Sequence, residues 1–117
     1  MNRLAFLGAI IASTLAFKAA AECTRPEPVP IPDGSVATLE EMLEAQTAVR
    51  EYIAKMEEFL ACINEEIDAQ GDETPQEITA AMIDRHNNAV TEMEMMAAQF
   101  NEQRVAYQQA HAAGEDQ

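Results

Sequence analysis

The chain has 117 residues, with 7 Lys and Arg against 21 Asp and Glu, and its formal net charge at pH 7 is −14. A chain of this length folds as one domain with a small core, and this charge repels nucleic acid and anionic lipid surfaces. The composition therefore argues against both as partners and favours a basic partner, a cation or simple solubility.

Residues 1–21 have the three regions of a cleavable secretory signal peptide. Arg3 supplies the positive charge, Leu4 to Phe17 form the apolar stretch, and Ala19-Ala20-Ala21 places small side chains before the cleavage site. The apolar stretch is too short for the ~20 residues that span a membrane. We therefore expect cleavage after about Ala21 and a periplasmic mature chain without a membrane anchor. Its net charge is −16, because cleavage removes two basic residues and no acidic ones.

An extended arm is predicted for residues 22–36. Four prolines occupy alternate positions between Pro26 and Pro32, which prevents a helix and favours polyproline II. Asp33-Gly34 then predicts a turn at the end of the arm.

A first helix is predicted over about residues 38–69, beginning with a capping box of Thr38 and Glu41 and ending before a left-handed cap at Gly71. Apolar residues recur along this helix at spacings of three and four, with only Gln46 as an exception, which predicts packing against a partner helix. This predicted seam consists of Leu39, Met42, Gln46, Val49, Ile53, Met56, Leu60, Ile63 and Ile67, and a second stripe beside it consists of Ala45, Tyr52 and Phe59.

A second helix is predicted over about residues 75–112, with Thr74 as cap, Pro75 at the first helical position and Glu77 closing the box. Two long helices with a connection of about five residues pack antiparallel. The predicted fold is all-α: a coiled-coil-like antiparallel two-helix hairpin over residues 37–114, with a polar tail at 115–117.

Cys23 and Cys62 are the only cysteines, and an even number in an exported chain predicts one intramolecular disulfide. A redox-active pair and a metal site are the alternatives. The length of the arm matches the length of helix that it would have to follow to bridge the two cysteines. The arm spans about 40 Å of polyproline II, and the helix from Thr38 to Cys62 spans about 36 Å. An arm running back along the first helix would bring Val29 and Ile31 near the stripe that contains Tyr52.

The arm and the start of the first helix resemble a family of small exported proteobacterial proteins. The resemblance covers Cys23 to Cys62 and rests on the cysteine followed by alternating prolines, then Ile31-Pro32-Asp33-Gly34, Glu41-Met42 and Ala45-Gln46. Members of that family have a cysteine–proline arm and a second cysteine late in the first helix. The resemblance implies export and a Cys23–Cys62 bridge, and it implies no activity.

No pattern in the sequence predicts catalysis. His86 and His111 are the only histidines, Ser35 is the only serine after the signal peptide, and no nucleophile is paired with a base. We expect a non-catalytic protein without a cofactor.

A metal-binding alternative rests on the methionines and histidine of the second helix. Thioethers and imidazole suit Cu(I), which makes a copper site of Met82, His86, Met93 and Met96 the alternative function. Methionine at helical spacing is also ordinary core filling, and we favour that interpretation.

The broad apolar faces of the two helices favour protein association as the function. We expect the interaction face to contain Tyr52, Phe59, Met93 and Phe100. Dimerisation into a four-helix bundle and docking of another envelope protein would each bury it. In the remaining alternatives the arm completes the core of a monomer, or the face serves a holdase-like chaperone.

Overall fold

A computed structural model describes residues 23–115 as an arm and two helices, with no strand in that range. The helices pack against each other, which confirms the predicted all-α hairpin. Neither of these two helices is both long and apolar enough to cross a membrane. The predicted signal peptide, the cleavage site and the last two residues of the predicted tail lie outside the described range.

The first helix, α1, spans Leu39–Ala69. The predicted capping box is confirmed: the Glu41 amide donates to the Thr38 hydroxyl at 3.1 Å, and the Thr38 amide donates to the Glu41 carboxylate at 2.8 Å. The predicted left-handed cap at Gly71 is wrong. The helix ends on Gln70 in an extended conformation (φ −71°, ψ 122°), and no described glycine has a positive φ.

The second helix, α2, spans Gln76–Glu115 and begins one residue later than predicted. The Pro75 carbonyl accepts the amides of Ile78 at 3.0 Å and Thr79 at 3.4 Å, so Pro75 and not Thr74 precedes the first turn. The helix also continues past the predicted end at residue 112. Gly114 lies inside the helix, because a glycine weakens a helix by about 1 kcal/mol without preventing it.

The arm from Cys23 to Val36 lies along α1 as the matching lengths predict. Cys23, Val29 and Ile31 are half-buried against the core, and Val29 and Ile31 share a cleft with Ala45 of α1. At the end of the arm, Asp33 accepts hydrogen bonds from the Ser35 amide at 3.0 Å and the Ser35 hydroxyl at 2.6 Å. This turn reverses the chain into α1.

The buried stripe of α1 differs from the predicted seam. Its spacing is three and four, as expected, but it combines four of the nine residues of the predicted seam with the whole second stripe. The buried residues of α1 are Met42, Ala45, Val49, Tyr52, Met56, Phe59 and Ile63, and α2 contributes Ala89 and Met96 to the core. Leu39 is 58% exposed, and Gln46, Ile53, Leu60 and Ile67 are only half-buried. The stripe shifted because α1 packs against the arm on one side and α2 on the other.

Candidate interaction surface

A shallow, open groove lies on α1 near the start of the helix. We call it the acidic groove. It is lined by Leu39, Glu40, Leu43, Glu44, Thr47, Ala48 and Glu51. Leu39 and Leu43 are four residues apart and therefore neighbours on one helical face. That face is turned away from the buried stripe of α1.

Its apolar side chains are unusually exposed for their size. Leu39 is 58% exposed and Leu43 is 53% exposed, and Val36, three residues before the start of α1, is 80% exposed. The capping box fixes where α1 begins and so fixes Leu39 on the outer face. Exposed leucines that share a face indicate a contact surface more strongly than scattered ones do.

Carboxylates form the polar part of the acidic groove. Glu40, Glu44 and Glu51 line it, and no lysine or arginine is among its lining residues. Glu44 and Ala48 also line a cleft against the arm, together with Pro30 and Ile31. The surface therefore has an apolar part at Leu39 and Leu43 and a carboxylate edge at Glu40, Glu44 and Glu51, and it is continuous with the arm.

The two predicted bridge cysteines lie together in the structure. Cys23 and Cys62 form a disulfide with a Cα–Cα distance of 5.6 Å, and a Glu66 carboxylate oxygen lies 3.2 Å from the Cys23 sulfur. These three residues place possible metal-ligand atoms within 4.8 Å of one another. A sulfur in a disulfide is not a thiolate, however, so the oxidised protein does not present a thiolate site for a metal.

The four residues of the alternative copper site do not converge. All of them lie on α2, whose backbone rises ~1.5 Å per residue, so Met82 and Met96 are separated by roughly 21 Å along the axis. Met96 is buried in the core cluster, and Met93 packs against it. One ion cannot contact all four side chains of one chain, and the core-filling interpretation accounts for Met93 and Met96.

The predicted interaction face lies inside the molecule. Tyr52 and Phe59 are buried at the centre of the core, and Met93 and Phe100 pack against it. Arg85 of α2 also covers the Phe59 ring, with its guanidinium carbon 6.0 Å from the ring centroid. The prediction of an outward-facing surface does not fit Tyr52 and Phe59, because the arm and α2 cover them, and Met93 and Phe100 of α2 are half-buried against the same core.

Tyr52 is buried under the arm with its hydroxyl unpaired. The side chain is 2% exposed, and the hydroxyl has no hydrogen-bond partner among the described residues. Burial raises the pKa of Tyr52, the nearby Glu92 carboxylate raises it further, and Arg25 lowers it. Arg25 of the arm forms an ion pair with Glu92 of α2 beside it. This group joins the three elements of the fold.

Comparison with known proteins returns no relative. No protein-family model matches the chain, and neither a curated protein nor a solved structure matches it. The resemblance to small exported proteobacterial proteins stays a prediction.

The sequence pattern did not predict the acidic groove. It places Leu39 in the predicted buried seam and Leu43 in neither stripe. Leu43 lies outside both stripes while Glu40 and Glu44 flank it, which is the sequence signal of an apolar residue on a solvated face. That mismatch between residue type and helical position could have identified the groove.

Proposed function

We propose that this chain is an exported, non-catalytic helical protein of the periplasm that acts by associating with itself or with another envelope protein. The amino-terminal segment supports export, since it combines a basic residue, an apolar stretch and small residues before the cleavage site. The absence of a nucleophile paired with a base in the sequence supports a non-catalytic role.

The observation that carries the proposal is the acidic groove. The arm and α2 cover the broad stripe of α1, so the core needs no second chain to complete it. Leu39 and Leu43 nevertheless stay more than half exposed on one face. An apolar pair that the fold does not need, at a site with a carboxylate edge, is typical of a surface that binds a partner.

Crosslinking in the envelope tests this proposal. A photoreactive amino acid at position 43 should give a discrete crosslinked product in cells, and the additional substitution Leu39→Gln should weaken it. The matched control places the same group at Ile83, which is exposed on α2. Equal labelling at the two positions, or none at position 43, would reject association through the groove.

Sedimentation of the purified protein in the micromolar range distinguishes a second copy of this chain from a different protein as the partner. A dimer that Leu39→Gln/Leu43→Gln dissociates supports self-association through the groove. A monomer combined with a discrete crosslink at position 43 assigns the groove to a different protein.

A further inference from the structure

From the acidic groove we infer a specific class of occupant: a short cationic amphipathic helix of another protein. This inference rests on the proposed function and adds the chemistry of the partner. The partner would pack apolar side chains against Leu39 and Leu43 and place Lys or Arg against the carboxylates of the edge.

The negative charges of the groove favour a partner whose contact surface is positively charged. Glu40, Glu44 and Glu51 lie along about three turns of one helix, and no basic residue lines the groove. Lys55 lines a neighbouring cleft together with Glu51, so Glu40 and Glu44 carry most of the selection. A partner with Lys or Arg at matching positions gains attraction at each of them, and like charges oppose acidic partners and anionic lipid.

The same charges disfavour a second copy of this chain in the groove. A symmetric contact places the same patch on both subunits, so the three carboxylates would face their own equivalents. Bringing like charges together opposes association. The whole chain has a net charge of −14, which adds to this repulsion. A different, basic protein fits the groove better.

The length and shape of the groove favour a helix. Leu39 and Glu51 are 12 residues apart, so the groove is roughly 18 Å long along the helix axis. That length accommodates about three turns of a partner helix. Ridges of side chains at spacings of four on one helix fit the grooves of another. The Leu39–Leu43 pair is such a ridge, and the arm beside Ala48 would form the second wall.

Binding of a model peptide to the oxidised mature protein tests the inference. The probe is a labelled helix of about three turns with leucines at i and i+4 flanked by lysines, followed by fluorescence anisotropy at low salt. One control peptide has glutamate in place of every lysine. A second has the lysine peptide's composition in an order that mixes the apolar and charged faces. Only the first peptide is expected to bind.

Three protein variants locate the site. Leu39→Gln/Leu43→Gln should weaken binding about tenfold or more, because it removes the apolar contact. Glu40→Gln/Glu44→Gln should weaken it roughly fivefold at low salt, and this difference should disappear near 1 M salt, where charges are screened. The matched control is Glu57→Gln/Glu65→Gln, at exposed positions of α1 outside the groove, and its effect should stay below about twofold.

Several outcomes would overturn the inference. One is binding of the acidic peptide as tight as that of the lysine peptide. Another is an equal loss of binding in the two glutamate-to-glutamine variants, inside and outside the groove. The third is undiminished binding by Leu39→Gln/Leu43→Gln. All substituted side chains are exposed, so unchanged thermal melts are expected and separate lost binding from lost folding. No peptide binding together with a specific crosslink at position 43 would reject the cationic helix and keep the proposed function. Failure of both would reject both.

Discussion

Gly34 shows how one residue sets the approach of two elements. It is buried, and its amide donates to the Gln103 side chain at 2.9 Å. A Cβ at this position would overlap the backbone carbonyl oxygen of Gln103 and lie 2.9 Å from the backbone nitrogen of Tyr107. The turn therefore needs glycine because the α2 backbone is close, and not because of an unusual φ.

Replacing Gly34 by alanine should destabilise the protein. The new methyl group meets backbone rather than a flexible side chain, so we expect a loss of about 1–3 kcal/mol in the free energy of unfolding. Gly71→Ala is the matched control, because a Cβ there meets nothing within 4 Å. It should be neutral or stabilise by about 0.4–1 kcal/mol through the unfolded state. Urea denaturation followed by circular dichroism measures both, and equal effects would contradict the close approach.

The unpaired hydroxyl of Tyr52 makes a second prediction at the residue scale. Removing a buried hydroxyl without a partner in Tyr52→Phe should leave stability unchanged or raise it by about 1 kcal/mol. A loss of stability instead would show that the hydroxyl has a partner, such as a bound water.

The same substitution should change the response to alkaline pH. The pKa of Tyr52 is raised in the folded state above its ordinary value of 10.0. Its contribution to stability is therefore complete below pH 10.0 and is lost as the pH rises through the folded-state pKa. Tyr52→Phe should remove this part of the alkaline loss in denaturation experiments, and Tyr107→Phe serves as the tyrosine control.

At the scale of elements, the arm is bound to α1 mainly by the disulfide and by apolar contacts. The Arg25–Glu92 pair links the arm to α2 instead, is about two-fifths exposed on each side, and adds little as such exposed pairs do. The disulfide joins residues 39 apart in sequence, and in the chain-entropy model a loop of that length stabilises by about 4 kcal/mol. Small domains have only about 5–15 kcal/mol in total.

Cys23→Ser/Cys62→Ser should therefore lower the free energy of unfolding by about 4 kcal/mol. Thermal and urea denaturation of the double variant and of the wild type with a thiol reductant should agree, because both lose the same cross-link. A melt that reductant leaves unchanged would contradict this account of the arm.

Local signals in the sequence predicted the elements well and their packing less well. The bounds of both helices were predicted within three residues, because capping residues, prolines and glycines act locally. The buried stripe was not predictable in the same way, since the apolar residues of α1 form two adjacent stripes and more than one combination of them has helical spacing. Which stripe is central depends on where the arm lies. That uncertainty moved Leu39 into the predicted core and placed Tyr52 and Phe59 in the predicted interaction face.

At the scale of the whole molecule, the position of the predicted cleavage site is informative. Cleavage after Ala21 leaves one residue before Cys23, whose side chain is half-buried in the fold. Ala21→Leu should block processing, because signal peptidase requires a small residue there. Intact-mass measurement of the wild type should give a chain that begins at Glu22, and Ala21→Leu should retain residues 1–21. An unprocessed wild type would contradict export by this route.

The disulfide also links only the part of the chain that would cross a membrane first. The arm and α1 up to Cys62 form a covalent ring, and the end of α1 and all of α2 lie outside it. In a chain that crosses a membrane with its amino terminus first, both cysteines emerge before α2 does. The ring can then close while α2 is still in transit, and α2 would fold against a template that is already cross-linked.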